Sequence, residues 1–260
     1  MKTVIITGAS SGIGRVTAEY FCDRGYKVYG VARREFKSDK FTSVKGDVND
    51  YEAMGAVFED IYKKEGHIDI LVNNAGFGIA GAVEDASVES IESIVRTDFT
   101  SVTVLCKMII PYMKKSGGRI INISSVGAIM PLPYQAMYSA VKSAVEVFSR
   151  ALDTEVRPFG IRVTAILPGD TKTDFTSARV IEDSDANGNK SASMRSIGKM
   201  AKDEQNGKDP VTVAKDVFTA ATKNDPPLRI TVGAISKAEV FLSRVFPLKA
   251  INYIIRKMYS

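Results

Sequence analysis

Short apolar runs alternate along the chain with longer stretches in which apolar residues return every three or four positions. The runs fall at residues 4–6, 27–31, 41–44, 68–72, 120–123, 161–167 and 229–232, and the longer stretches at 14–24, 51–64, 98–115, 134–157 and 210–223. Short runs rich in Val and Ile suit strands buried on both sides, and the longer period suits helices laid over them. Their alternation predicts right-handed βαβ units and hence an α/β fold, a doubly wound parallel sheet of seven strands with helices on both faces. The link 33–40 is too short for a helix, so one crossover is reduced to a loop. Helix punctuation agrees with these boundaries. Asp209 can cap a helix that Pro210 begins, and Pro158 with Gly160 stops the long helix before the strand at 161.

Two stretches stand outside the alternation. Residues 170–208 are rich in Ser, Asp, Asn and Lys and read as irregular, either a mobile substrate lid or a disordered insertion. Residues 236–260 set Val240, Phe241, Leu242, Val245, Phe246, Ile251, Ile254 and Ile255 among Lys and Arg. Such an apolar helical extension can cover a substrate, lie on a membrane surface, or pack on the domain or on another copy.

With 260 residues, 45% hydrophobic and 25% charged, the chain suits one domain, 1–260, that buries about three quarters of its unfolded surface. No stretch approaches the about 18 apolar residues of a membrane span, and the opening run at 4–6 is too short for a signal peptide. Cys22 and Cys106 have no metal-ligand or CxxC partner, and with the missing signal they point to reduced thiols in a cytoplasmic protein. The net charge of +5 comes from dispersed Lys and Arg without a basic stripe, which argues against nucleic acid and for an anionic small ligand. The single histidine, His67, lies in a turn before a strand, so histidine triads and zinc sites are excluded.

The chemistry concentrates in a few positions. In Thr7-Gly8-Ala9-Ser10-Ser11-Gly12-Ile13-Gly14, three glycines join the first strand to the first helix. Without side chains they permit a tight turn and let a pyrophosphate reach backbone amides at the positive end of the helix. That context is what gives a glycine run meaning as a dinucleotide fingerprint and makes the predicted fold Rossmann-type. At the end of the second strand, where an acid would hold the ribose of NAD, stand Ala32, Arg33 and Arg34. Guanidinium groups there pair a 2′-phosphate, so the expected cofactor is NADP(H), with Arg15 available to assist; the plainer reading leaves these arginines solvated.

Tyr138 and Lys142 share one helical face at i and i+4, with Ser125 thirteen residues before the tyrosine at a strand's carboxyl end. A phenol titrates near pH ~10, and a cation about 4 Å away favours the phenolate by roughly 4 kcal/mol at an effective dielectric of about 20. The expectation is a Tyr138 pKa lowered by up to about 3 pH units. Alone the pair reads as surface packing. With Ser125 and the glycine motif it reads as proton-transfer machinery.

These residues resemble the short-chain dehydrogenase/reductase family over nearly the whole chain. The matching elements are TGASSGIG at 7–14, Asp47-Val48, Asn73-Asn74-Ala75-Gly76, Ser125, Tyr138-Ser-Ala-Val-Lys142, and Pro168-Gly169 with Thr171 and Thr173. The resemblance implies a cofactor site at Gly8, Ser10, Ser11, Gly12, Ile13, Gly14, Arg33, Arg34, Asp47, Val48, Asn74, Ala75, Gly76, Tyr138, Lys142, Pro168, Gly169, Thr171 and Thr173. It implies hydride exchange between nicotinamide and a carbonyl or alcohol carbon, with Tyr138 as acid or base, Ser125 orienting the carbonyl, and Lys142 acidifying the phenol. One departure stands out. Where the family has a catalytic asparagine, this chain has Asp98, which either replaces it or simply caps or pairs with Arg96 or Lys107.

Residues 77–81, 128–132 and Phe175 should surround the open end of the site, and their apolar character favours a bulky hydrophobic substrate. The chain broadly resembles members acting on hydroxysteroids or retinoids, and the family suggests a homodimer or homotetramer built through helices 98–115 and 134–157. A competing function is a non-catalytic NADP(H)-binding redox sensor or scaffold, which predicts a damaged catalytic trio. A sugar-nucleotide epimerase or dehydratase would carry a different glycine spacing.

Overall fold

The computed structural model describes residues 1–182 and 190–259. Seven parallel strands form the sheet: β1 (Thr3–Thr7), β2 (Lys27–Ala32), β3 (Thr42–Lys45), β4 (Ile70–Asn73), β6 (Gly118–Ile123), β7 (Ile161–Leu167) and β9 (Arg229–Thr231). Their order is β3-β2-β1-β4-β6-β7-β9, so the sheet starts at β1, winds outward to β3, then reverses and adds strands at the other edge. The reversal between β1 and β4 leaves a crevice at the strands' carboxyl ends. β1 is buried along its whole length, as a central strand covered on both faces must be.

Helices cover both faces. α1 (Gly12–Cys22) and α7 (Val211–Thr222) cover one, where Phe21, Val213 and Val217 pack on Val4, Ile6 and Ile70. On the other lie α2 (Tyr51–Glu65), α4 (Ser101–Met113) and α5 (Ala136–Val156), which bring Phe58, Leu105, Ile109 and Val145 onto Ile5, Leu71 and Ile120. α2 shows why its segment folds. Asp50 accepts a hydrogen bond from the Ala53 amide, Lys63 and Lys64 sit at the negative end of the helix dipole, and Gly66 ends it at φ 78°. Two predicted boundary signals also recur in space: Asp209 accepts from the Val211 amide at 2.8 Å, and Gly160 turns left-handed after α5 at φ 69°.

The structure departs from the sequence reading in three places. Residues 33–40 form the expected loop, but 98–115 is the end of a longer helical run that begins with α3 (Val88–Val95) and passes through a wide π turn at Arg96–Thr100. The stretch 170–208 is not irregular: it holds β8 (Val180–Glu182), which pairs with β5 (Ile79–Gly81), and α6 (Lys190–Gln205). The buried stripe of α6 is Ser193, Ser196, Ile197 and Met200, so half of it is polar and its helical period is masked. The remainder of that stretch, 183–189, lies outside the described residues. The C-terminal extension is two helices, α8 (Ala234–Val245) and α9 (Leu248–Tyr259), separated at Pro247. Among the described residues no helix is long and apolar enough to cross a membrane.

Candidate active site

A cleft of about 750 Å³ opens at the carboxyl ends of the strands. At one end lie Gly8, Ser10, Ser11, Gly12 and Ile13; Arg33 and Arg34 stand beside them, and Val48, Asn74, Ala75 and Gly76 form the floor. Ser125, Tyr138 and Lys142 occupy the middle, facing Pro168, Gly169, Thr171 and Thr173.

The glycine turn is held open by backbone geometry. Gly8 has φ 68° and Gly12 φ 53°, conformations that L side chains rarely adopt. Gly14 does not reach the cleft surface. A Cβ there would stand 2.3 Å from the Gly8 carbonyl oxygen, so its lack of a side chain lets α1 pack on the turn. Asn74 ties this turn to β4: its Nδ2 donates to the Thr7 carbonyl at 2.9 Å, while the Thr7 hydroxyl accepts from the Asn74 and Ala75 amides at 3.0 Å each. Ser11 makes no side-chain cap on α1, and no acid occupies that helix's first turn. An uncapped helix start behind a glycine-lined hollow suits a diphosphate. Just past β2, Arg33 and Arg34 line the cleft and are exposed. The acid that follows them, Glu35, faces Lys45 at 3.4 Å, and Asp47 turns its carboxylate onto the Asn49 amide at 2.9 Å rather than onto the cleft wall. Arg15 is likewise engaged elsewhere, by Glu19 at 3.1 Å.

The middle of the cleft depends on α5 being fixed to the sheet. Ser124 donates to the Lys142 carbonyl at 2.8 Å, Ser143 donates to the Ala128 carbonyl at 2.6 Å, and Asn122 donates to Ser149 at 2.9 Å. Tyr138 and Lys142 therefore stand on one side of the helix, with the ammonium 5.7 Å from the phenol ring centroid and the hydroxyl hydrogen-bonded to Ser125. Ser125 also accepts from the Gly127 amide at 3.1 Å, which fixes its rotamer.

The expected acidification of the phenol requires correction. Burial raises the Tyr138 pKa above its ordinary value; Lys142 and Ser125 work against that rise without overcoming it, and Asp98 and Glu204 add to it. Burial is the chief cause, and the charge of Lys142 that opposes it is shared with other groups. Its ammonium sits 2.9 Å from Asp98 Oδ2 and donates to the Ile123 carbonyl at 3.3 Å, so much of its field is answered before it reaches the phenol. Asp98 itself is fully buried in the π turn and also accepts from the Phe77 amide at 3.0 Å. It does not pair with Arg96 or Lys107; Arg96 instead donates to the Asn49 carbonyl. Gly76 makes the approach possible, since a Cβ there would come within 2.6 Å of Asp98 Oδ2. Burial lifts the Asp98 carboxyl, and Lys142 and the Phe77 amide only oppose the rise.

At the outer end, Phe77, Met130, Leu132 and Phe175 line the wall as an apolar group, with the Phe175 ring 5.8 Å from that of Tyr138. Ile79 and Ala80, expected there, are instead buried in β5, and Ile79 packs with Ile94 and Val141. Ala128, Ile129 and Pro131 stay off the cleft wall. The sequence reading missed the acidic part of that wall, Asp170, Glu204 and Glu239. Asp170 keeps one side open, yet nearby protein withdraws enough water to push its carboxyl up to about 6, with Asp203, Glu204 and Glu239 adding to the shift. Nothing in the sequence marked these acids, whereas the apolar spacing of the C-terminal stretch did point to the part of the wall formed by Ile255, Met258 and Tyr259.

Residues 2–183 match the family described as short chain dehydrogenase. The chain is 37% identical to a 3-ketodihydrosphingosine reductase of Bacteroides thetaiotaomicron, over 100% of this chain and 98% of that protein. A short-chain dehydrogenase from Streptomyces avermitilis superposes with a TM-score of 0.83 at 28% identity, covering 99% of this chain and 96% of the other. A 3-ketoacyl-(acyl-carrier-protein) reductase from Brucella melitensis, solved with NADH, gives 0.75 at 26% identity over 89% and 96%.

Proposed function

The chain belongs to the short-chain dehydrogenase family, and from that premise we propose that it is an NADP(H)-dependent reductase of a long-chain hydrophobic ketone. The observation that carries the reading is the Ser125–Tyr138–Lys142 group in mid-cleft, between a glycine-lined hollow and an apolar wall. The bulky substrate expected from the sequence narrows from a steroid or retinoid to a 3-keto sphingoid-like compound. The Bacteroides relative, similar end to end, supports that choice, because the C-terminal helices that wall this cleft fall within the matched length.

The choice of NADP(H) rests on Arg33 and Arg34, with neither Glu35 nor Asp47 turned to a ribose hydroxyl. The related fold that holds NADH is 26% identical to this chain, and a 2′-phosphate would here meet Arg33 and Arg34. The bound nicotinamide supplies one thing, a hydride delivered to the carbonyl carbon. Ser125 donates a hydrogen bond to the carbonyl oxygen and steadies the charge that builds there. Tyr138 gives that oxygen its phenolic proton. Burial keeps the phenol protonated at neutral pH, which suits a proton donor and hence the direction of reduction. Lys142 holds positive charge beside the phenol as the proton leaves, and Asp98 keeps the ammonium in place.

Steady-state turnover of a long-chain 3-keto amine with NADPH tests the reading, alongside Kd values for NADPH and NADH. Tyr138→Phe should lower kcat by about 10²–10⁴-fold and leave the Kd for NADPH unchanged. Retained turnover in that variant would remove Tyr138 from the chemistry, and equal Kd values would overturn the choice of NADP(H). Wild-type protein that binds NADPH but turns over no ketone would favour the redox sensor.

A further inference from the structure

α8 is amphipathic in an unusual sense: both of its faces are apolar or small, and only one is covered. Val240 is buried and Ser236 and Ser243 half-buried on its inner face, whereas Ile235, Phe241, Leu242 and Val245 stay 72%, 63%, 45% and 62% exposed. Positions 234, 238, 241 and 245, with 235 and 242, fall on one side of a helix. Phe246 and Leu248 at the turn into α9, and Ile254 and Met258 on α9, are exposed as well. Single exposed apolar residues need no explanation, but a continuous face of them does.

The charges around this face select what covers it. Residues 234–259 contain Lys237, Arg244, Lys249, Arg256 and Lys257 against the single acid Glu239. Glu239 is half-buried and belongs to the cleft wall, and Lys237 faces Asp216 of α7, so the cations that carry the argument are Arg244, Lys249 and Lys257. A two-fold contact between copies through this face would oppose like charges. An anionic lipid surface would neutralise them while accepting the apolar side chains. The same helices also wall the cleft, through Ser236, Ile255, Met258 and Tyr259, and Met258 is at once cleft-lining and 47% exposed. Met258 thus brings exposed apolar surface of α9 to the cleft itself.

We propose that the outward face of α8 and α9 docks the protein on an anionic lipid bilayer, with the cleft mouth opening at the membrane surface. Docking stands apart from the catalytic reading, because it needs neither cofactor nor turnover. If both hold, the long-chain substrate enters from the bilayer rather than from water.

Flotation of the full chain, without substrate or NADPH, compares vesicles of phosphatidylcholine with vesicles in which about a third of the lipid is phosphatidylglycerol. The wild type should float with the anionic vesicles, and ionic strength near ~1 M should weaken binding by contracting the Debye length to about 3 Å. Phe241→Ser with Val245→Ser should lower partitioning about 100-fold, equivalent to about 2.7 kcal/mol. Arg244→Glu with Lys249→Glu should cost about tenfold on anionic vesicles and little on neutral ones. Reduction of a short, water-soluble ketone and the thermal midpoint should be unchanged in both pairs, which separates lost docking from lost folding. Failure of the wild type to bind anionic vesicles would overturn the proposal. So would a wild-type dimer in solution that the Phe241→Ser, Val245→Ser pair converts to monomer, since the face would then belong to a second copy.

Discussion

Two buried carboxylates, Asp98 and Asp153, both fully shielded from solvent and both paired with a buried cation, have opposite protonation behaviour. At Asp153 burial works against the charge, but Arg162, the Val163 amide and Arg157 together hold the carboxyl below its ordinary range. Its oxygens accept from Arg162 Nε at 2.9 Å, from the Val163 amide at 2.8 Å and from Arg157 at 3.1 Å. At Asp98 burial prevails, because its Oδ2 meets only the Lys142 ammonium and its Oδ1 only the Phe77 amide. A buried pair whose lone pairs are all answered clamps α5 to β7. The pair with fewer hydrogen bonds on its carboxylate lies beside Tyr138.

The largest effect that would break this contrast is on stability. Asp153→Asn should destabilise the fold by about 3–5 kcal/mol in urea titration, since it removes the buried carboxylate that answers both Arg162 and Arg157 and leaves Arg162 only the exposed Asp225. Asp98→Asn should cost less, about 1–3 kcal/mol, because a single buried cation, Lys142, loses its counter-charge and it keeps the Ile123 carbonyl. The sign with pH follows. Asp153, with a lowered pKa, adds stability that is present above the unfolded carboxylate value and lost as pH falls through the folded one. Asp98, with a raised pKa, favours folding most at acid pH, so the loss from Asp98→Asn should shrink as pH rises. Equal losses in the two variants would erase the distinction.

A smaller effect sharpens the functional side. Tyr138 is faced by Lys142, Asp98 and Glu204, and Asp98 raises its pKa. Asp98→Asn should therefore lower the phenol pKa and move the alkaline limb of kcat/KM for reduction toward acid by about one pH unit. A profile that does not move would show that Asp98 acts on Lys142 without reaching the phenol. The smallest effect concerns the cleft wall. Asp170, pushed up to about 6, costs stability as pH rises from the ordinary carboxylate range through that value. Asp170→Asn should stabilise by about 1 kcal/mol at pH ~7, after discounting for solvent screening, and not at pH ~4. Thermal unfolding at the two pH values decides it.

The sheet was legible in the sequence because strands buried on both faces leave uninterrupted runs such as Val4-Ile5-Ile6 and Ile120-Ile121. The pairing of Tyr138 with Lys142 was legible because it is local, fixed by one turn of helix. The partnership of Lys142 with Asp98 was not: it spans 44 residues and depends on a π turn and on the missing side chain of Gly76. The direction of the Tyr138 shift failed for a related reason. Spacing reports a neighbouring charge, whereas burial and the competing carboxylate belong to tertiary structure. α6 escaped because Ser193 and Ser196 occupy positions where a helix ordinarily shows apolar residues.

The order of strands in the sheet bears on how the protein is made. β1, β2 and β3 form in chain order toward one edge, and every later strand of that sheet adds at the opposite edge, β4 then β6, β7 and β9. A chain emerging from the ribosome thus offers each new strand a template already laid down, despite the long-range pairing that makes parallel sheets slow to assemble. The cleft follows another schedule. Its outer wall includes Ile255 and Tyr259, within the last turns of α9, so a nascent chain that has finished its sheet still has no complete binding site until α9 has also been made.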